Sequence, residues 1–226
     1  MRGASLRRAA APRTIRFRGA SGSRSATARA DRGGPYQRSP GTTHLFGSPL
    51  CSAVIVAITG TPGTGKSSIC SVLGRRGYFI VDLDQEARAG GFIVGRDESR
   101  GADEVDVEGL RNHLLIPAKI AFLKGHYSHL MDVNLAIVLR CRPSVLRKRL
   151  QERGWPDSKI QENVEAEAID SILQEAVARL DLVYEIDTTE RTAESTAAGV
   201  LEILQGRTKG HAPGSVDWSH EVLSWY

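Results

Sequence analysis

The sequence predicts an α/β fold, a doubly wound parallel sheet of five strands. Three observations predict it. Short β-branched runs alternate with helical patterns between residues 54 and 204, as in a series of βαβ crossovers. Residues 54–58 and 135–139 are apolar throughout, as strands buried on both faces are. Between the first run and the first helix stands a glycine-rich loop, Gly60-Thr61-Pro62-Gly63-Thr64-Gly65-Lys66-Ser67-Ser68.

That loop reads G-x-x-x-x-G-K-S, in the strand–loop–helix setting of a P-loop NTPase fold. Gly63 and Gly65 carry no Cβ, so the backbone can turn tightly and approach a polyphosphate. Loop N–H groups, with those of Thr64 and Ser68, form an anion nest together with the helix N-terminus. Lys66 is placed to reach the β- and γ-phosphates, and the Ser67 hydroxyl to ligate Mg²⁺. Ile69, Val72 and Leu73 open the helix on one apolar face.

The remaining elements follow in order. Residues 77–82 read as the second strand, and 83–89 as a short helix stopped by Gly90-Gly91. Residues 90–106 are polar and charged and read as a mobile segment. Asp106 is placed to cap a helix burying Leu110, Leu114 and Leu115. Residues 118–123 read as the third strand and 135–139 as the fourth. Pro143 suits the first turn of a helix carrying Leu146 and Leu150, broken at Arg153-Gly154-Trp155-Pro156. One long helix is expected over 160–180, the fifth strand over 182–187, and a last helix from Thr192 to Leu204, ended by Gly206. The sequence after residue 207 reads as a tail, docked or loose, around Pro213-Gly214-Ser215-Val216-Asp217-Trp218.

The chain has 226 residues and a formal charge of +4, with an uneven distribution. Residues 1–50 hold ten arginines, no lysine and one acid, Asp31, so the rest of the chain is net acidic. The basic pI therefore argues no nucleic-acid partner for the body. An Arg-, Ser-, Ala- and Gly-rich head without aliphatic periodicity cannot bury a core and is expected to be disordered. It reads as a transit peptide, as a basic nucleic-acid arm, or as upstream sequence translated from a wrongly assigned start, the reading favoured by arginine without lysine. Three separate cysteines, Cys51, Cys70 and Cys141, exclude a disulfide framework and a cysteine zinc site. No run approaches the length of a membrane span, so a cytoplasmic location and no membrane partner are expected.

Arg149 and Arg153 stand four apart and share a helix face, where a short lid would leave the sheet. Cationic clamps on the moving phosphoryl group supply much of the catalysis in phosphoryl transfer, and both residues are candidates. Arg140, Arg142, Arg147 and Lys148 read as a solvated basic face. No Asn-Lys-x-Asp stretch, the guanine-reading signature, occurs.

The loop's Thr61-Pro62-Gly63 is followed by Gly125-His126, residues 137–141, Arg149-Leu150 with Arg153-Gly154-Trp155, then Lys159, Glu162-Asn163, Ala166-Glu167, and Glu185-Ile186-Asp187-Thr188-Thr189. This series resembles the small adenylate kinases of the archaeal and eukaryotic nuclear type, the isoenzyme 6 family. The stretch 214–219 resembles the tail of archaeal members. The resemblance covers residues 53–226. It implies Mg²⁺-dependent phosphoryl transfer from ATP to AMP, giving two ADP, with an accompanying ATPase activity. It implies a lid between Arg153 and Asn163 and an AMP-binding segment from Val81 to Val107, with Arg88 a candidate for the AMP phosphate. Arg191 falls where the family closes a loop over adenine, and His126 matches the family's histidine. A role in small-subunit ribosome assembly, with uS11 and pre-rRNA as partners, is implied too. One position departs: the third strand of P-loop kinases usually ends in an acid that holds the Mg²⁺ water shell, and here Lys124 stands there. Asp132 and Asp82 are candidates to replace it. A kinase of the dephospho-coenzyme A type, also built on a P-loop and lid, is the remaining alternative.

Overall fold

The structure, a computed structural model, describes residues 53–97 and 101–225. The arginine-rich head lies outside the described residues. Strand β1 (Val54–Thr59) runs into the glycine loop and helix α1 (Lys66–Arg75). Then come β2 (Phe79–Asp82), α2 (Leu83–Ala89), β3 (Ile93–Asp97), β4 (Ala102–Val105) and α3 (Val107–His113). Next are β5 (Ile120–Lys124), a 3-10 turn (Ser128–Leu130), β6 (Leu135–Arg140) and α4 (Pro143–Gln151). Helices α5 (Asp157–Ala168) and α6 (Ser171–Arg179), β7 (Val183–Asp187), α7 (Ala193–Leu204) and α8 (Ser219–Leu223) complete the chain.

Five strands form one parallel sheet in the order β2-β5-β1-β6-β7. β1 is central, with Val56 opposite both Phe122 and Leu135. From β1 the chain passes to β2 and β5 on one side of it and then crosses to β6 and β7 on the other, so the loop after β1 opens at the point where the strand order reverses. Ligands of open α/β sheets bind there, beyond the strands' carboxyl ends.

Alternation along the strands builds a core on each face. Val56 and Ile58 of β1, with Ile137 and Leu139 of β6, pack on Leu73 of α1 and Val200 of α7. Ala57, Ala136 and Val138 point the other way, onto Leu173 and Ala176 of α6. Small residues on that second face let α6 lie close to the sheet. Each fully buried Leu or Ile contributes roughly 1.5–3 kcal/mol, so the hydrophobic runs are what hold the loop's two flanking elements in place.

The helix starts follow the sequence. Asp82 accepts from Gln85 N at 3.4 Å, Asp106 from Gly109 N at 2.9 Å, and Thr192 from Ser195 N at 3.1 Å. Four expectations fail. Residues 90–106, read as a mobile segment, contain the antiparallel hairpin β3–β4, pairing Arg96 with Asp103. Ile93 and Val105 pack inward with Phe92, while Val94, Arg96 and Glu104 are exposed; that alternation of two was hidden by the charged residues. Leu115 is 90% exposed because α3 ends at His113, leaving Leu110 as its buried anchor. The single helix over 160–180 is two helices, broken at Ile169-Asp170, where Asp170 takes φ 58° and pairs with Arg140.

Arg140 is the fourth. Instead of a solvated face it is 1% exposed, the largest fully buried side chain. Being in β6, it sits inside the sheet rather than on the helix that carries its neighbours. Its Nε donates to Glu167 at 2.8 Å and its Nη1 to Glu185 at 2.9 Å. Burial works against its charge, but Glu167, Asp170 and Glu185 hold the guanidinium more firmly protonated than usual. Replacing it leaves buried carboxylates uncompensated, so Arg140→Leu is expected to destabilise the fold by about 3–5 kcal/mol. Urea unfolding checks this; a loss near zero would mean that the carboxylates are balanced by other groups.

The tail is docked. Trp218 is 9% exposed, its ring 6.0 Å from the Arg140 guanidinium carbon, and Glu185 accepts from Val216 N at 2.7 Å.

Candidate active site

The loop from Gly60 to Gly65 is shaped for an anion. Gly65 caps α1 with φ 101°, and a Cβ on Gly63, at φ 98°, would stand 2.6 Å from Leu146 Cδ1. Both positions therefore require glycine. No side chain caps α1 and no acid lies in its first turn, so the helix N-terminus is left for a ligand's negative charge.

Lys66 folds back under the loop, its Nζ donating to Gly60 O at 2.5 Å and to Thr61 O at 3.0 Å. The stem is half-buried and the ammonium is desolvated. Burial lowers its pKa to about 8, against the opposing pull of Asp84 and Glu167. A group held so poorly hydrated gains much from phosphate oxygens.

In front of the loop lies a cleft of about 770 Å³. Lys66, Ser67 and Ser68 form its floor, with Asp84 and Arg88 of α2 on one wall. Arg96 and Asp103 come from the hairpin, and Trp155, Lys159 and Asn163 from the α4–α5 corner and α5. Arg88 Nη2 donates to Asp103 at 3.1 Å, and Arg96 stands 3.9 Å from the same carboxylate. Lys159 lies 4.7 Å above the Trp155 ring.

A second cavity of about 210 Å³ adjoins the loop on its other side. Thr64, Ser68, Arg149, Arg153, Thr188 and Arg191 line it. Gly63, Gly65, Ser68 and Arg153 line both cavities. Arg149 is partly engaged: its Nη2 donates to the carbonyls of Thr188 at 2.9 Å and Thr189 at 3.1 Å. Arg153 is exposed, and among the described residues no carboxylate pairs with it. The two arginines therefore differ: one braces the end of β7, the other is free to move.

His126 opens into the cleft, its carbonyl accepting from the Thr59 hydroxyl at 3.0 Å. Desolvation, then the Lys66 charge, hold its pKa below the ordinary histidine value, so it is neutral at pH 7. Lys124 pairs with Asp82, its register partner on β2. Asp132 has an 86% exposed side chain, pairs with Arg111 at 3.9 Å, and lines neither cavity. Among the described residues no group of three or more His, Cys, Asp or Glu could hold a metal by themselves.

Asp84, Arg96 and Tyr127 were not singled out from the sequence. Tyr127 is 6% exposed, it stands near Asp84, and among the described residues its hydroxyl has no hydrogen-bond partner within bonding geometry. Burial, then Asp84, push its pKa up. Asp84 was legible in principle, two residues beyond the carboxyl end of β2, the end of the sheet at which the loop stands. Arg96 was hidden with the hairpin.

The strand order around a phosphate loop, with a cleft closed by helical and hairpin walls, defines a P-loop kinase fold. A shikimate kinase from Acinetobacter baumannii, in complex with shikimate, shares that fold: TM-score 0.51 at 14% identity, covering 70% of this chain and 96% of that one. The AAA domain family profile matches residues 56–170. A protein of Archaeoglobus fulgidus named "Putative adenylate kinase" is 43% identical over 175 residues, covering 75% of this chain and 94% of its own length. One of the same name from Methanothermobacter thermautotrophicus is 40% identical over 171 residues, covering 75% and 99%. The chain belongs to this archaeal-type adenylate kinase family, P-loop nucleotide kinases, as the sequence motifs implied. Among the described residues no helix is long and apolar enough to cross a membrane.

Proposed function

We propose that this protein transfers the γ-phosphoryl group of ATP to AMP, giving two ADP. One observation carries the reading: the phosphate loop and an arginine pair, Arg88 and Arg96, line the same cleft, one suited to a donor's phosphates and the other to an acceptor's. A phosphate oxygen of AMP attacks the γ-phosphorus as the bond to the β-bridging oxygen breaks, and the ADP so released keeps that oxygen. Lys66 and the loop N–H groups hold the donor phosphates. Arg153 and Arg149 are the proposed clamps on charge developing during transfer, and Arg191 the residue over the adenine. Neutral His126, beside Lys66, orients the phosphates by hydrogen bonding rather than by charge.

The residues present fit Mg²⁺, which takes one or two carboxylates, waters and substrate phosphates rather than an all-protein cage. Ser67 would hold it, with Asp84 and the unpartnered Tyr127 hydroxyl ordering its water shell. Lys124 does not fit that task, and its partner Asp82 is taken up in neutralising it. Bound there, Mg²⁺ would offset the negative charge of the phosphates.

An acceptor panel tests the reading. AMP should give the largest ADP yield, ahead of other nucleoside monophosphates, dephospho-coenzyme A and shikimate. ATP alone, and ATP with uS11, are the remaining arms. Hydrolysis stimulated by uS11 and no transfer to AMP would favour the ribosome-assembly alternative; transfer to dephospho-coenzyme A alone would favour that kinase.

The lowered Lys66 pKa sets a pH dependence. In the free enzyme Lys66 is charged below about pH 8 and loses its charge above it. kcat/KM for ATP, which reports the free enzyme, should hold below that pH and fall above it. kcat should fall only at higher pH, because bound phosphates favour the ammonium. Coincident limbs would assign the titration to another group.

A further inference from the structure

Glu167 is the penultimate residue of α5, and its carboxylate does more than neutralise Arg140. It is 3% exposed. Its Oε2 accepts the Thr61 hydroxyl at 2.6 Å. Its Oε1 accepts from Arg140 Nε at 2.8 Å, Cys141 N at 3.1 Å and Trp218 Nε1 at 3.3 Å. One buried carboxylate thus joins the phosphate loop, the end of β6, the helix that walls the cleft, and the tail.

The loop end of this junction bears on the reaction. The Thr61 carbonyl accepts Lys66 Nζ at 3.0 Å and the Thr64 hydroxyl at 2.8 Å. Fixing the Thr61 side chain fixes where that carbonyl points, and so where Lys66 rests. The tail end is doubly tied, since Glu185, which accepts Arg140 Nη1 at 2.9 Å, also accepts from Ser215 Oγ at 3.1 Å.

We propose that Glu167 is a positioning residue for phosphoryl transfer: it holds Thr61, and through it Lys66, and the C-terminal segment bears on the phosphate loop through the same carboxylate. This rests on the phosphate-loop reading above. Buried hydrogen bonds to a charged group are worth more than those between neutral ones. An oriented carboxylate therefore sets the loop's geometry before ATP arrives, and small misplacement is costly in a reaction that depends on alignment.

The test compares the full chain with Thr61→Val, Thr61→Ser, Glu167→Gln and Trp218→Phe. Melting temperature without nucleotide, kcat and KM for ATP are measured. Thr61→Val and Glu167→Gln should each lower kcat about tenfold or more, with ATP KM changed about threefold or less. Thr61→Ser, which keeps the hydroxyl, should return to within about threefold of the unmodified chain. Trp218→Phe keeps the ring and loses the N–H; a several-fold fall in kcat supports the tail's part. Variants whose kcat matches that of the unmodified chain overturn the proposal, whatever their melting temperatures; so do variants whose activity falls only as their folded fraction falls. If Glu167→Gln does not fold, the Thr61→Val and Thr61→Ser pair decides, since the carboxylate network stays intact. Failure of the kinase reading itself would show as no transfer in the unmodified chain, and the same comparison is then read in the rate of ATP hydrolysis.

Discussion

Lys66→Ala is expected to abolish measurable turnover, lowering kcat/KM for ATP by about 10³-fold or more, roughly 4 kcal/mol. In the free protein Lys66 is poised rather than satisfied. Two carbonyls hold its ammonium, and burial has already stripped it of water and lowered its pKa to about 8. ATP offers it full negative charges in place of carbonyl dipoles, and the exchange is made inside the cleft, where charges are poorly screened. The alanine variant should fold, because the cost of burying the ammonium is lost together with its two hydrogen bonds. Thermal shifts separate the possibilities. ATP at about 100 times its dissociation constant stabilises a binding protein by roughly 2.7 kcal/mol. The unmodified chain should show that shift and Lys66→Ala should not. ATP-dependent transfer retained by the variant would remove the loop from the mechanism.

The frame of the fold was legible because it rests on local rules. A β-branched run buried on both faces, a glycine loop and an apolar helix face name a strand, a turn and a helix without reference to anything distant. Asp82, Asp106 and Thr192 mark helix starts in the same local way. What could not be read depends on partners far along the chain. Arg140 looked like one more basic residue near a helix. Only its pairing with Glu167, Asp170 and Glu185, 27 to 45 residues away, makes it a core residue. The break at Asp170 has the same origin: Glu- and Ala-rich sequence on both sides favours one helix, and the left-handed turn brings Asp170 onto Arg140.

The site divides similarly. Lys66, Ser67 and the loop glycines lie in one contiguous stretch, and the structure gathers them at the floor of the cleft. Asp84, Tyr127 and the hairpin residue Arg96 reach the cleft from three other elements, and no spacing in the sequence relates them. Lys124 stood out as an unusual residue at the end of a strand. Its meaning emerges from the register with Asp82: the two charges cancel at the adjacent strand ends, and Asp84 is left as the acid that faces the loop.

Arg153→Ala should lower kcat by about 10²–10³-fold, or roughly 3–4 kcal/mol, with a smaller change in KM for ATP. The geometry separates Arg153 from every other arginine of this region. Arg149 is occupied by the carbonyls of Thr188 and Thr189, and Arg147 Nη2 donates to Gln161 at 2.5 Å. Arg153 follows the end of α4, faces both cavities, and precedes Gly154, whose φ of 70° lets the chain turn sharply into α5. A side chain so placed meets the phosphates best when the α4–α5 corner closes on them, so its contribution belongs to the transition state more than to ground-state binding. Arg153→Lys should restore only part of the rate, because lysine lacks the planar fork that grips two phosphate oxygens. Arg149→Ala should combine a kcat loss with a fall in melting temperature, since it also braces the end of β7. Arg147→Ala, which removes one bond to a surface glutamine, should leave kcat within about twofold. Steady-state kinetics on the four variants decide the matter. Equal, mild losses at Arg153 and Arg147 would make this corner an ordinary solvated surface.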